Sequence, residues 1–297
     1  MLKRFFKFAE RMKNENKFLF DIANHNPLWL KFKKFWKFIK FHSLIKQEIV
    51  NFYAQNADRV ATVANMLADE KSKITYLAMI KFRQTHSKKD FPTVYYERIQ
   101  YFIEELQFGK DEIFIDCGAF DGDTISTFLE RCPDYKQIIA FEPDTNNFEK
   151  LNEKYGNNTK IKLIFGGAYN KDGEVLFYEN GSMSEKWQQA SSRIIDGFDN
   201  RQENISKIQV KAIDNLDLEK VSFIKMDIEG AEMNALKGAE KTIIRDKPKL
   251  AICIYHSNED MICITEYIHN LVPEYKLYIR HHTEFPYLHE TVLYALL

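Results

Sequence analysis

Between residues 112 and 255, five apolar runs of strand length alternate with amphipathic stretches of helical period: 112–116, 137–142, 160–165, 222–227 and 249–255. Runs this short and this continuously apolar suit strands buried on both faces, and the intervening helical stretches are the crossovers that a parallel sheet needs. Two further runs, 275–280 and 291–296, leave no room for a crossover helix and are expected to form an antiparallel hairpin. The fold expected is therefore α/β: a mostly parallel, Rossmann-like sheet with an antiparallel C-terminal hairpin, preceded by an N-terminal helical region. The polar segment 85–92, THSKKDFP, ends in proline and reads as the linker, which divides the chain into a helical region over 1–90 and an α/β domain over 91–297.

Few other classes survive the composition. The 42 basic and 43 acidic residues nearly cancel, so charge gives no reason to expect nucleic acid as a partner. Cys117, Cys132, Cys253 and Cys263 are scattered without C-x-x-C spacing, which indicates neither a disulfide framework nor a zinc ribbon. In residues 1–20 charges break the apolar sequence every two or three positions, so no secretory leader is expected, nor any membrane span, and the location expected is cytoplasmic.

One N-terminal stretch has two readings. Over 28–46, LWLKFKKFWKFIKFHSLIK, helical spacing places Leu28, Phe32, Phe35, Trp36 and Ile39 on one face and lysines on the other. Such a helix suits peripheral contact with an anionic membrane face, or its aromatic stripe packs on the α/β domain or on a second copy in a homo-oligomer. From residue 47 to about 82 the pattern stays helical, and a second helix is expected to start near Ser72, after Asp69-Glu70.

The first α/β strand runs into Ile115-Asp116-Cys117-Gly118-Ala119-Phe120-Asp121-Gly122-Asp123, a D-x-G-x-x-x-G turn opening a helix. Gly118 permits close approach of a ligand to the backbone, and Gly122 permits tight packing. The carboxylates of Asp116, Asp121 and Asp123 would repel a pyrophosphate but suit a cationic cofactor, such as the sulfonium and ammonium of S-adenosylmethionine. Glu142, at the end of the second strand and about 25 residues on, stands where an acid accepts both ribose hydroxyls. Asp116, Gly118, Phe120, Gly122, Asp123, Glu142, Pro143 and, after the third strand, Ala168 are the expected cofactor contacts.

With these motifs on the page, the chain resembles the FkbM-type methyltransferases. FIDCGAFDGDT and AFEPD carry the likeness together with GGAYNKDGEVLFY, IKMDIEGAE followed by LKGA, and KPKLAICIYH, across about residues 108–297. Where that family often has a glutamate before the final histidine, this chain has Tyr255. The resemblance implies S-adenosylmethionine as donor, a class I methyltransferase sheet, and methyl transfer to an oxygen, typically on a sugar or a polyketide-derived hydroxyl.

The remaining candidates follow from strand ends. Asp227 reaches the same sheet edge as Asp116 and Glu142, with Glu229 and Glu232 opening the next helix. Asp227 with one glutamate either binds the acceptor hydroxyl or holds a divalent cation, for which an oxygen-only set would suit Mg²⁺ or Mn²⁺ rather than Zn²⁺, while the glutamates alternatively only cap the helix. No metal ligand is assigned. His256, at the end of the fifth strand, is the first choice as general base, with Asp227 orienting the acceptor; the alternative is a structural imidazole. Arg280, with His281 and His282, is expected to reach an anionic part of the acceptor, such as a nucleotide sugar. The polar stretch 181–193, including Ser192 and Arg193, is expected as a lid over a small-molecule or glycan acceptor, in an enzyme of surface-glycan biosynthesis. The rival from another class is a catalytically inactive Rossmann-like protein serving as a membrane-surface or partner-binding module.

Overall fold

The computed structural model describes residues 47–90, 99–178, 193–195, 205–283 and 288–297. The stretch 28–46 and the lid residues 181–192 lie outside these. Residues 47–55 form a helix in a first unit, and a second compact unit runs from Asn56 to Leu297.

The second unit opens with α1 (Ala57–Met66) and α2 (Glu70–Thr85). Asp69 caps α2 by accepting from the Ser72 amide at 2.7 Å, so the helix begins at the acid-rich run where a start was expected. Segment 85–90 therefore lies inside this compact unit, not at its edge.

The α/β part follows as β1 (Ile113–Cys117), α3 (Asp123–Arg131), β2 (Gln137–Glu142), α4 (Thr145–Tyr155), β3 (Ile161–Phe165), β4 (Gly167–Ala168), β5 (Gly173–Tyr178), β6 (Arg193–Ile195), β7 (Ile205–Lys211) and β8 (Phe223–Met226). It closes with α5 (Glu232–Lys237), α6 (Glu240–Asp246), β9 (Lys249–Cys253), α7 (Asp260–Leu271), β10 (Lys276–His281) and β11 (Thr291–Leu296). Seven strands form the main sheet in the order β10-β11-β9-β8-β1-β2-β3. β3, β2, β1, β8 and β9 pair in parallel, while β11 runs antiparallel to both β9 and β10, as the short connection before it dictates. A second sheet, β4-β7-β5-β6, was not anticipated: β7 alternates in burial and β4 has only two residues, so neither gives a continuous apolar run.

β1, β8 and β9 are almost wholly buried, which accounts for their unbroken apolar sequence. Phe114 of β1 stacks on Phe223 of β8 with ring centroids 4.7 Å apart, and Phe128 of α3 closes on Phe114 at the same separation. The strand order reverses beside β1, and the carboxyl edge at such a switch point is where sheets of this kind bind ligands. No described helix is long and apolar enough to cross a membrane.

Arg280 corrects one expectation. Its side chain is fully buried, donating to Asp69 Oδ2 at 2.7 Å, Ser72 Oγ at 2.7 Å and Glu105 Oε1 at 2.6 Å. It pins the start of α2 to the sheet edge and has no access to an acceptor. His281 and His282 are likewise turned inward, onto Thr291 Oγ1 and the Tyr294 hydroxyl. Replacing Arg280 by Met should cost roughly 3 kcal/mol, since it strands two partly buried carboxylates. Denaturant unfolding reads the loss, and an unchanged midpoint would reject this anchoring role.

Candidate active site

A cleft of about 690 Å³ opens at the carboxyl edge of the sheet, a volume suited to a nucleoside-sized ligand. Gly118, Phe120, Asp123, Glu142, Pro143 and Ala168 line it, six of the eight expected cofactor contacts. Gly118 has φ +78, and a Cβ there would sit 2.0 Å from the carbonyl oxygen of Asp227, so the turn admits no other residue without moving β8's exit. Gly122 is not among the lining residues. A Cβ at this position would strike the Tyr155 ring of α4, so its smallness serves helix packing.

Asp116 is the second departure. It is fully buried, does not line the cleft, and lies 3.1 Å from the ammonium of Lys225, itself 3% exposed. Burial pushes the Asp116 carboxyl up to about 6 against the pull of Lys225, while the surrounding carboxylates keep Lys225 protonated. The same ammonium donates to the Gly118 carbonyl at 2.6 Å. The acid of the turn thus acts through Lys225, which the sequence reading passed over. The signal was present in the sequence: a lysine inside the buried strand Phe223–Met226 must have a counter-charge.

Glu142 ends β2 at the wall of the cleft. Its Oε2 accepts from the Phe120 amide at 2.8 Å and its Oε1 from the Asp144 amide at 2.9 Å, which fixes the carboxylate at the cleft wall with lone pairs to spare. Burial raises it from the usual glutamate value to about 7. Phe177 of β5 and Ile194 of β6, with Ala168 and Phe141, supply apolar surface suited to an adenine. Asp123, Glu142, Asp144, Asp227, Glu229 and Glu290 line the cleft against only Lys150 and Lys225 among its described cations, a balance that favours a cationic ligand. The residues present therefore fit S-adenosylmethionine.

Deeper in, the loop after β8 gathers the catalytic candidates. Asp227 accepts from the Tyr101 hydroxyl at 2.6 Å and the Tyr255 hydroxyl at 3.1 Å, and these donors with Lys225 hold its carboxyl below the usual range despite burial. Tyr101 comes from an irregular segment before β1 and had no sequence signal; Tyr255 occupies the position where the resemblance led us to expect glutamate. His256 Nε2 lies 3.5 Å from Asp227 Oδ1 and 3.2 Å from Glu229 Oε2, and its Nδ1 lies 3.0 Å from Glu232 Oε1. Burial alone would lower its pKa, but the three carboxylates outweigh it and raise it to about 11.

Glu232, expected to meet the acceptor, is fully buried and accepts from the Ile228 amide at 2.8 Å and the Gly230 amide at 3.0 Å. It shapes the loop from within. Glu229 does reach the cleft, from a left-handed backbone with φ 56. Arg193 contributes backbone to β6, and Ser192 lies outside the described residues. Glu290, on the segment before β11, lines the cleft with its Oε2 held by Gln100 Nε2 at 2.5 Å; nothing in the sequence pattern marked it.

Comparison with known proteins agrees with this geometry. The methyltransferase FkbM domain model matches residues 116–285. A 2-O-methyltransferase, NoeI, of Sinorhizobium fredii is 24% identical over 149 residues, which are 46% of this chain and 61% of that protein. The crystal structure of methyltransferase FkbM from Methylobacillus flagellatus superposes with a TM-score of 0.67 at 29% identity, covering 83% of this chain and 60% of the other. The chain thus spans about three-fifths of each relative.

Because Glu142 must be ionised to accept fully from ribose hydroxyls, affinity for S-adenosylhomocysteine should rise as pH climbs through about 7. A change of about three- to tenfold between pH 6 and 8 is expected by calorimetry, and the Glu142→Gln variant should bind weakly with a flat profile. Equal affinity at both pH values would remove Glu142 from the ribose site.

Proposed function

Starting from the fact that the chain belongs to the FkbM methyltransferase family, we propose that it is an S-adenosylmethionine-dependent O-methyltransferase whose acceptor is a sugar or related polyol hydroxyl. The observation that carries the reading is that Asp227 and Glu229, both beside the buried His256, line the same cleft as Glu142. Bound S-adenosylmethionine supplies an already activated methyl group on a sulfonium. What remains for the protein is to position a hydroxyl, exclude water and accept a proton.

Glu142 and the backbone turn at Gly118 fix the nucleoside end of the cleft, and the acidic lining neutralises positive charge on the donor. An acceptor hydroxyl entering beside β8 meets Asp227 and Glu229, whose carboxylates accept its hydrogen bond. The proton leaves onto these carboxylates, whose charge the buried His256 beside them offsets. Asp227 is itself oriented by the hydroxyls of Tyr101 and Tyr255. A neutral polyol fits better than a phosphate-bearing acceptor. Arg280 is withdrawn into the core, and the described cations of the cleft are Lys150 and the neutralised Lys225. That the relative NoeI is named a 2-O-methyltransferase supports oxygen as the accepting atom. Work in the cytoplasm, on a glycan precursor, completes the proposal.

The test is methyl transfer from labelled S-adenosylmethionine to a panel of neutral mono- and oligosaccharides, with product sites read by mass spectrometry. Asp227→Asn and His256→Gln should each lower turnover by about 10²–10⁴-fold while S-adenosylhomocysteine binding changes little. Full turnover in both variants, or methylation at nitrogen, would overturn the assignment.

A further inference from the structure

The proton-accepting cluster contains more than that role requires. The side chain of His256 is 9% exposed, yet neither ring nitrogen makes an acceptably directed hydrogen bond, although three carboxylates crowd within 3.0–3.5 Å. A buried imidazole surrounded by acceptors and aligned with none of them is a group held for a different partner.

We propose that Asp227 Oδ1, Glu229 Oε2 and His256 Nε2 form a divalent-cation site of the Mn²⁺ type, which holds the acceptor hydroxyl beside the cofactor cleft. The three donor atoms lie within 4.8 Å of one another, with Nε2 at 3.5 Å from Oδ1 and 3.2 Å from Oε2. Adjacent donors around an octahedral ion at about 2.1 Å stand roughly 3 Å apart, so small rotations of Asp227 and Glu229 complete one face. The other face opens on the cleft that Asp227 and Glu229 line.

The surroundings are those of a metal-ligating histidine. Nδ1 lies 3.0 Å from Glu232, whose buried carboxylate is itself fixed by the amides of Ile228 and Gly230, so a small turn of the ring onto an ion at Nε2 would bring Nδ1 into line with that acid. Tyr101 and Tyr255 donate to Asp227 in the way outer partners orient a ligating carboxylate. The sequence pattern suggested an all-oxygen set for Mg²⁺ or Mn²⁺; the imidazole that joins the two carboxylates favours Mn²⁺ of these two.

The inference rests on the methyl-transfer reading for its purpose, but its test does not use turnover. Mn²⁺ alone is titrated into the full-length chain and followed by electron paramagnetic resonance, with S-adenosylhomocysteine binding measured in parallel by calorimetry. One tightly held Mn²⁺ per chain is expected. Glu229→Gln, at a half-exposed position, should weaken it at least tenfold with an unchanged melting midpoint, and His256→Gln should act in the same direction. Free Mn²⁺ throughout the titration, with S-adenosylhomocysteine bound normally, overturns the cation site and leaves the methyltransferase standing. So does undiminished Mn²⁺ affinity in folded Glu229→Gln. Stoichiometric, Glu229-dependent Mn²⁺ without any S-adenosylhomocysteine binding upholds the site and rejects the methyl-transfer reading instead.

Discussion

The buried ammonium of Lys225 is the constraint around which the carboxyl edge of the sheet is arranged. It stands where β1 and β8 run side by side, within 3.1 Å of Asp116 and 2.6 Å of the Gly118 carbonyl. A lysine this deep costs several kcal/mol to desolvate unless a counter-charge is fixed beside it, and Asp116 is that charge. Satisfying the pair ties the glycine turn after β1 to the strand that delivers Asp227. The nucleoside end and the reacting end of the cleft are therefore positioned by one interaction.

From that anchor the loop 227–232 is shaped by its own acids. Glu232 turns inward to collect two amides, Gly230 and Glu229 take left-handed backbone, and Glu229 is thereby projected into the cleft. Three acids two to five residues apart thus do three different jobs: a tyrosine-held carboxylate at the strand end, a cleft carboxylate, and an internal peg. Their shared charge raises His256 and gives the pocket an acid-rich lining that favours cations over anions.

At the opposite edge of the sheet, burial of charge serves architecture. β10 is an edge strand of the main sheet, and α2 covers it through Arg280, Asp69, Ser72 and Glu105. The guanidinium satisfies two carboxylates and a hydroxyl at once, a task that a planar five-donor group performs and an ammonium does not. Helices α1 and α2 are consequently part of the folding unit that carries the site, and the C-terminal hairpin is held from both sides.

Period and spacing in the sequence were enough to determine the parallel strands, their crossovers, the antiparallel hairpin, the start of α2, and the glycine turn with Glu142 beside it at the cleft. Each depends on contacts local in the chain or on a burial pattern that repeats at fixed intervals. Which face a polar residue turns to was decided only by tertiary structure. Arg280 and Asp116 read as site residues because they sit at strand ends, yet each found a closer opposite charge from a distant segment, Asp69 and Glu105 or Lys225. Tyr101 and Glu290 enter the cleft from irregular segments some 190 residues apart, and no periodicity marks a residue whose neighbours are set by chain crossing. Electrostatic pairing in a low-dielectric interior is settled by proximity in space, and proximity in space is what the order of residues does not state.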